Sequence, residues 1–240
     1  TAEGLAWLAV MVNEYSYSFE SKTVTLTSDI NLEGYRWYPI GGRFNKGWAW
    51  FSGTFDGQGH SISNIYVNDS NFDIGLFGYV YDISSIKNVN MVGGAVSYLF
   101  CPTDEVSNVI LWPTIGGLVG KVYFGNEISN CHSSVDVYGG GVDAYEEEGV
   151  GSLCGEVTIT KESIISNCSA SGTVTGRINC GGLIGKLYAQ LDIGRSVVRN
   201  CFATGDVNIK PGSVEAWNRG GLIGFCCGDA TITNCYSTGK

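Results

Sequence analysis

Two short signatures recur along this chain, and their recurrence constrains the fold more than any other feature. The first is Gly-(Gly)-Leu-x-Gly, followed two residues later by an apolar side chain. The leucine, the last glycine and that apolar residue share one parity, which indicates a strand with alternate side chains facing a core. The copies, the third of them degenerate, occupy residues 75–78, 116–120, 151–155, 181–185 and 220–224.

The second signature is Ile/Val-x-Asn-Cys, which is complete in four copies and lacks the cysteine in two others. The parity of the inward positions changes between the asparagine and the cysteine, which indicates a corner between two strands. Asparagine suits such a corner because it tolerates left-handed backbone and forms local hydrogen bonds. We therefore expect a structural ladder of equivalent residues: Asn64, Asn88, Asn130, Asn167, Asn200 and Asn234, with Cys131, Cys168, Cys201 and Cys235.

The spacing of the two signatures favours one architecture. Leu76 to Asn88, Leu118 to Asn130 and Leu222 to Asn234 span equal distances, whereas the return from asparagine to the next leucine varies in length. Fixed strands with variable loops are typical of a solenoid. An antiparallel sandwich also has short strands at regular spacing, but it does not require the same side chains at equivalent positions. The sequence predicts an all-β protein, a right-handed parallel β-helix (β-solenoid), since parallel crossovers are right-handed.

The ends of the chain differ from the repeats. Residues 3–13 carry an apolar stripe that predicts a helix, which would cap the exposed strand edges of the stack. We expect one β-solenoid domain over 1–240, with a cap at 1–20 and repeats at 21–240. The last repeat stops at Lys240, which directly follows Gly239 and lies one residue before the position occupied by Val137, Val174 and Val207 in earlier copies. The chain is therefore expected to be a fragment of a longer protein.

The nine cysteines leave two interpretations open. Cysteine is a good small core residue, so an inward column of free thiols is favoured. Neighbouring strands of a stack also lie within disulfide range, so bridges between repeats are the alternative.

Composition excludes several classes of partner. The chain has 14 basic and 23 acidic residues, with a net charge of -9, whereas nucleic-acid binding depends on Lys and Arg neutralising phosphates. The longest apolar run, residues 5–12, is far shorter than the roughly 20 residues that cross a bilayer. We expect no nucleic-acid partner and no membrane insertion by this chain.

The sequence contains no recognisable catalytic or metal motif. His60 and His132 each lack a second ligand at metal-binding spacing, and there is no Gly-x-Ser-x-Gly. The run Asp69-x-Asn71-x-Asp73 begins like a calcium loop but lacks its glycine. The acidic run 146–148, near Asp143, is interpreted as a solvated loop. We predict no cofactor and no metal site.

One pair of carboxyl groups nevertheless suggests catalysis. Asp136 and Asp206 occupy the same outward position two repeats apart, with Thr173 between them, so their carboxyl groups would lie roughly 9 to 10 Å apart, at the edge of inverting-glycosidase geometry. A β-helix enzyme that degrades polysaccharides is thus an alternative, although an outward Asp is usually only solvated.

Aromatic residues are concentrated in the first part of the chain. Trp37, Trp48 and Trp50 are the candidate ligand-binding residues, because exposed rings provide contact area for sugars or proteins. The competing interpretation is that these rings only fill wide N-terminal repeats.

The repeats, together with residues 26–32, 37–41 and 51–62, resemble bacterial surface proteins with GLUG motifs. This resemblance implies an extracellular or cell-surface, sometimes adhesin-like protein, and the motif also occurs as a non-catalytic region of proteins resembling immunoglobulin A proteases. The zinc signature His-Glu-x-x-His of that protease is absent from this chain. We therefore expect a non-catalytic surface scaffold or adhesion module that binds a host glycan or protein. The alternatives are a polysaccharide-degrading enzyme and an accessory region of an immunoglobulin A protease-like protein.

Overall fold

A computed structural model describes residues 1–44, 47–69, 73–82, 84–98, 113–123, 125–139, 149–159, 162–189, 195–211 and 217–240. In this part of the chain there is one helix, α1 (Ala2–Asn13), and the remaining regular structure is short strands. The first half contains β1 (Thr23–Thr25), β2 (Ile30–Asn31), β3 (Gly42–Phe44), β4 (Gly47–Ala49), β5 (Thr54–Asp56), β6 (Ser61–Asp69), β7 (Asp73–Ile74), β8 (Phe77–Tyr81), β9 (Ser85–Lys87), β10 (Asn90–Tyr98), β11 (Thr114–Gly116), β12 (Val119–Tyr123), β13 (Glu127–Ser129), β14 (His132–Ser133) and β15 (Asp136–Tyr138). The second half contains β16 (Gly149–Gly151), β17 (Cys154–Ile159), β18 (Ser163–Ser166), β19 (Ser169–Ala170), β20 (Val174–Gly176), β21 (Ile178–Gly181), β22 (Ile184–Ala189), β23 (Ser196–Arg199), β24 (Phe202–Ala203), β25 (Val207–Ile209), β26 (Trp217–Gly220), β27 (Ile223–Cys227), β28 (Ala230–Thr233) and β29 (Tyr236–Ser237).

Four parallel sheets run through the described structure, and each draws strands from successive repeats of the chain. Sheet 1 has the order β1-β5-β9-β13-β18-β23-β28. Sheet 2 contains β2, β6, β10, β14, β15, β19, β20, β24, β25 and β29, sheet 3 has β7, β11, β16, β21 and β26, and sheet 4 has β8, β12, β17, β22 and β27. The strands β3 and β4 form an antiparallel pair. The prediction of an all-β fold with one N-terminal helix is therefore confirmed.

The repeats define five units that contribute equivalent strands to these sheets. They are unit 1 (β7–β10), unit 2 (β11–β15), unit 3 (β16–β20), unit 4 (β21–β25) and unit 5 (β26–β29). Equivalent residues pair across units, as when Ile128 pairs with Ile165 and Ile165 pairs with Val198. The apolar side chains of all units join one buried cluster. Like residues thus pack on like residues along the direction in which the strands stack.

Helix α1 packs against the N-terminal end of this core. Leu5, Leu8 and Val12 of its apolar face are buried in the same cluster as Leu32. The side chain of Asn13 fixes the end of the helix, because its amide donates to the carbonyl of Pro39 at 2.9 Å and its oxygen accepts from the backbone N–H of Gly41 at 2.8 Å. The described part of the chain has no helix of the length and hydropathy needed to cross a bilayer.

The glycine signature reflects close contact between sheets 3 and 4. A Cβ atom on Gly120 of β12 would lie 2.5 Å from the backbone nitrogen of Ile74 in β7. A Cβ atom on Gly185 of β22 would lie against the backbone nitrogen of Val150 in β16 and 2.6 Å from the carbonyl oxygen of Gly155. Backbone atoms of the preceding unit therefore occupy the space that any side chain would need.

Most of the signature asparagines form a row along the edge of sheet 1. Each has a positive φ, from 52° at Asn130 to 57° at Asn88. The amides donate to the preceding member's carboxamide oxygen: Asn130 to Asn88 at 3.1 Å, Asn167 to Asn130 at 3.2 Å, Asn200 to Asn167 at 3.1 Å and Asn234 to Asn200 at 3.2 Å. Asparagine is suited to this position because it combines left-handed backbone with an amide that both donates and accepts.

Asn64 does not belong to this row, in contrast to the sequence-based expectation. It lies inside β6 of sheet 2, and its amide donates to Asn31 at 2.9 Å. The row instead begins at Asp56, whose carboxylate accepts from the amide of Asn88 at 2.9 Å. The sequence also did not reveal a second row, in which the amide of Asn218 donates to Asn179 at 2.9 Å.

Two replacements of Asn167, in the middle of the row, separate the stabilising effect of its side-chain hydrogen bonds from the effect of its positive φ. We expect Asn167→Ala to lower the free energy of unfolding by about 1–2 kcal/mol, because it loses two hydrogen bonds and retains a strained positive φ. Asn167→Gly should cost less, since glycine adopts that backbone conformation freely. Urea denaturation measures both values. Asn208→Ala, at an exposed position in β25, is the control, and a glycine variant less stable than the alanine variant would contradict the explanation.

The four signature cysteines lie one above another beside the asparagine row. Cys131, Cys168 and Cys201 are fully buried, Cys235 is partly exposed, and all four are free thiols. The thiol of Cys168 donates to the carbonyl of Ser166 at 3.2 Å and of Ile128, in the preceding unit, at 3.6 Å. Its hydrogen bond with Cys131 and its burial raise the pKa of the Cys168 thiol. Cys101 lies outside the described residues.

Candidate functional site

Exposed aromatic rings gather where the N-terminal segment meets the outer surface of sheet 4. Trp48 of β4 and Trp50 keep 48% and 38% of their surface exposed. The ring of Trp48 lies 5.3 Å from that of Tyr79, and the ring of Trp50 lies 5.3 Å from that of Tyr81. Two tryptophans separated by one residue therefore cover two tyrosines separated in the same way on β8.

The tyrosines continue this surface into the next unit. Tyr79 and Tyr81 lie 5.9 Å apart on one side of β8, and Tyr81 stacks on Tyr123 of β12 with parallel rings 5.8 Å apart. The parallel register pairs Tyr81 with Tyr123, so the stacking follows from the strand pairing. The rings of Trp48, Trp50, Tyr79, Tyr81 and Tyr123 are termed the aromatic face.

Trp37 is not part of the aromatic face, which corrects the grouping made from sequence. Its side chain is only 4% exposed, and its indole N–H donates to the carbonyl of Leu76 at 3.0 Å. A buried Trp whose nitrogen has a backbone partner is a core residue. Of the three predicted ligand-binding tryptophans, the structure brings only Trp48 and Trp50 together.

Beyond the aromatic face, sheet 4 carries a row of charged residues. The register aligns Tyr79, Lys121, Glu156 and Lys186 on adjacent strands. The buried carboxylate of Glu156 lies 3.4 Å from the Lys121 amine and 3.6 Å from the Lys186 amine. The hydroxyl of Thr158 also donates to it. Lys121, Glu156 and Lys186 are termed the charged row.

A second buried carboxyl group, that of Asp73, interacts electrostatically with Lys121 of the charged row and with Tyr79 of the aromatic face. Asp73 of β7 is almost fully buried and accepts a hydrogen bond from the Thr114 hydroxyl at 2.7 Å. Burial raises the pKa of Asp73 to about 6, against the opposing attraction of Lys121. Burial and the nearby Asp73 also raise the pKa of Tyr79. Tyr79 therefore stays neutral at physiological pH. The carboxyl group of Asp73, which interacts with it, changes its charge near pH 6.

The pair of aspartates considered for polysaccharide cleavage has another role in the structure. The carboxylate of Asp136 accepts from the backbone N–H of Thr173 at 2.8 Å, and that of Asp206 accepts from the N–H of Lys240 at 2.9 Å. Each carboxylate thus secures the backbone of the following unit. Asp136 begins β15 of sheet 2, whereas the tyrosines of the aromatic face lie on sheet 4.

Within the described residues, no group of three His, Cys, Asp or Glu side chains is arranged to bind a metal ion. The ring of His132 bonds with the hydroxyl of Ser169 at 2.8 Å, and His60 lies 3.3 Å from Asp29. Of the possible calcium ligands, Asn71, Asp143 and the run 146–148 lie outside the described residues.

Sequence reasoning missed the tyrosines and the buried carboxyl group of Glu156, and it considered Asp73 only as part of a run that begins like a calcium loop. The sequence does contain a signal for Tyr79 and the charged row, because each of these residues directly follows the last glycine of the first signature. In the five units this position holds Tyr79, Lys121, Glu156, Lys186 and Phe225. Its parity is opposite to that of the core positions, so these residues face outward together. The repeat pattern does not mark Asp73 as a buried acid, because the residues at the same position in later units are Thr114 and Gly149.

Comparison with known proteins agrees with this architecture. The family model described as the GLUG motif matches residues 147–175, so the GLUG resemblance inferred from the sequence is confirmed there. No curated protein sequence matches the chain. Among solved structures, the chain is similar to a "putative immunoglobulin A1 protease" from Bacteroides ovatus, with a TM-score of 0.60 and 17% identity over 98% of this chain and 73% of the other. At this identity the similarity concerns the fold.

Proposed function

We propose that residues 1–240 form one right-handed parallel β-solenoid domain, capped by residues 1–20, that serves as a non-catalytic scaffold or adhesion module on a bacterial surface. Three observations support the proposal: the sheets take equivalent strands from each unit in register, the chain carries a GLUG motif, and a bacterial protein shares the fold. The proposed location is extracellular.

The aromatic face is the observation that supports a binding role. It joins five rings from three successive segments of the chain, and its two tryptophans remain substantially exposed. Flat rings bind the apolar faces of sugars or the side chains of proteins at small entropic cost. We propose that this face binds a host glycan or a host protein.

An accessory region of an immunoglobulin A protease-like protein is the second candidate, and the similarity to the Bacteroides ovatus structure favours it. In that case the aromatic face would hold the immunoglobulin while another part of the protein cleaves it. Polysaccharide cleavage has less support, because Asp136 and Asp206 are both engaged with neighbouring backbone.

Removal of the exposed tryptophans tests the binding role. On a printed array of host mucin-type oligosaccharides, intact mucins and immunoglobulin A1, we expect Trp50→Ala to weaken binding roughly tenfold, equivalent to about 1.4 kcal/mol. Trp48→Ala should have a similar effect, because each tryptophan contacts its own tyrosine. Binding to immunoglobulin A1 alone would favour the second candidate.

Trp217→Ala provides the matched control, since Trp217 is also exposed but lies in β26 of sheet 3. It should bind as the unchanged chain does. If Trp48→Ala, Trp50→Ala and Trp217→Ala weaken binding equally, or if the wild-type chain does not bind, the result would count against a role for the aromatic face. Release of sugar that disappears in Asp136→Ala would instead support the enzyme.

A further inference from the structure

Two rows of outward side chains cross sheet 4 at right angles to its strands. The first row runs from Tyr79 along the charged row. The second runs from Tyr81 and Tyr123 through Thr158 to Tyr188, which is 39% exposed. The strands follow in the order β8, β12, β17 and β22, so at roughly 4.8 Å per step the rows extend about 14 Å beyond β8. The aromatic face, the charged row, Thr158 and Tyr188 are together termed the sheet 4 surface.

The lysines are the members of the charged row that a ligand can reach. The side chains of Lys121 and Lys186 each keep 22% of their surface exposed, whereas that of Glu156 keeps 4%. Two ammonium groups share this one carboxylate, so the charged row has one surplus positive charge. The chain as a whole carries a net charge of -9. The sheet 4 surface is therefore a local exception to the acidic character of the chain, and it favours an anionic ligand.

The carboxyl group of Asp73 offsets this surplus at neutral pH but not in mild acid. Burial raises the pKa of Asp73 to about 6, against the attraction of Lys121. The Thr114 hydroxyl donates to this carboxyl group, and Glu156 and Tyr79 are the other titratable groups that interact with it. Below pH 6 the carboxyl group of Asp73 is mostly protonated. An anionic ligand should then bind more tightly, because a negative charge close to the lysines has been removed.

We propose that the sheet 4 surface binds an extended acidic glycan, which packs on the rings of the aromatic face and places carboxylate or sulfate groups at Lys121 and Lys186. This inference rests on the binding role proposed for the aromatic face. Sugar rings present apolar faces that pack on aromatic side chains, and ammonium groups form charge-assisted hydrogen bonds with acidic groups. The rings and lysines follow a line across the strands, which suits a linear polymer better than a folded protein.

Titration calorimetry with hexasaccharides tests this inference. The probes are hyaluronan, which carries carboxylates, chondroitin sulfate, which carries carboxylates and sulfates, and carboxyl-reduced hyaluronan, which is neutral. We expect the acidic probes to bind about tenfold more tightly than the neutral one. Tighter binding of chondroitin sulfate than of hyaluronan would identify sulfate as the preferred group, and the reverse order would identify carboxylate. Hyaluronan binding should tighten between pH 7.5 and pH 5, and Asp73→Asn should remove this change.

Two variants locate the binding on the sheet 4 surface. Lys186→Gln should weaken hyaluronan binding about tenfold and leave the neutral probe unaffected. Lys87→Gln is its matched control, because Lys87 also pairs with a largely buried carboxylate, that of Asp56 at 3.7 Å, but lies in sheet 1. Tyr188→Ala should weaken binding of the hexasaccharide but not of a disaccharide, which is too short to reach Tyr188 from the aromatic face. Tyr138→Ala, at a similarly exposed tyrosine of sheet 2, should change neither.

The neutral probe tests the role of charge without any change to the chain. Equal affinity for hyaluronan and its carboxyl-reduced form, weaker hyaluronan binding at pH 5 than at pH 7.5, or equal effects of the two lysine variants would overturn the inference. Binding that depends on Trp50 but is limited to uncharged glycans or to immunoglobulin A1 would also overturn it, while leaving the binding role of the aromatic face intact. If neither a glycan nor immunoglobulin A1 binds, both proposals fail.

Discussion

Gly185→Ala is expected to unfold much of the protein, with a loss of about 3 kcal/mol or more in the free energy of unfolding. The added methyl group would meet three backbone groups of the preceding unit: the nitrogen of Val150, the oxygen of Gly155 at 2.6 Å and the carbonyl carbon of Gly149 at 2.7 Å. Backbone atoms cannot turn aside as a side chain does, so sheets 3 and 4 would have to separate. Thermal unfolding followed by circular dichroism measures the effect.

Two other glycine variants distinguish this explanation from a general intolerance of alanine. In Gly221→Ala the new methyl group meets only the side chain of Ser237, whose hydroxyl can rotate away and whose Cβ atom, at 3.0 Å, has to move only slightly, so the loss should be about 1 kcal/mol. Gly4→Ala lies in α1, where the nearest atom is the Thr1 hydroxyl at 3.5 Å, and should stabilise the helix by about 0.5–1 kcal/mol. Similar losses in Gly185→Ala and Gly221→Ala would refute the role assigned to sheet contact.

Asp73→Asn is expected to stabilise the protein at pH 8 by about 2–3 kcal/mol and to leave stability nearly unchanged at pH 4. Burial raises the pKa of Asp73 to about 6, above its ordinary value of 3.8. A carboxyl group with a raised pKa favours the folded state while it is protonated, and this contribution is lost as pH rises through about 6. Asparagine remains neutral and keeps an oxygen that can accept from Thr114.

Urea denaturation of both proteins at several pH values checks this result, because the difference between them isolates Asp73 from other titrating groups. Asp29→Asn gives the opposite pattern as a control. A hydrogen bond from the Ser61 backbone lowers the pKa of Asp29, so its contribution is present at neutral pH and is lost on acidification. A stability difference that is the same at pH 4 and pH 8 would show that Asp73 does not titrate near pH 6.

The repeat signatures predicted the strand-rich fold and its corners because each has a strict steric cause. Gly120 and Gly185 adjoin backbone, and Asn130 and Asn167 adopt positive φ, so few other residues fit these positions. The N-terminal helix was predicted from its apolar stripe, which packs against the core. The sequence analysis wrongly assigned Asn64 to the asparagine row. Its local sequence resembles that of the row, but Asn64 itself lies within β6 of sheet 2 and donates to Asn31.

The binding surface was less predictable, since burial depends on contacts distant in sequence. Trp37 and Trp48 look alike as residues, but only the packed structure places the carbonyl of Leu76 beside the Trp37 indole. Tyr79 and Tyr123 could have been recognised from the outward parity of their strands. Asp73 could not, because its unusual pKa arises from burial among residues of units 1, 2 and 3.

The covered N-terminal end of the core has a consequence for biosynthesis. Since α1 and the N-terminal strands leave the ribosome before the later repeats, a finished template exists before those repeats have been made. Each emerging repeat needs to order only against the row of strands already in place, so the entropic cost of long-range pairing is divided into small steps. The molecule can therefore grow in one direction during translation, with every added repeat becoming the template for its successor.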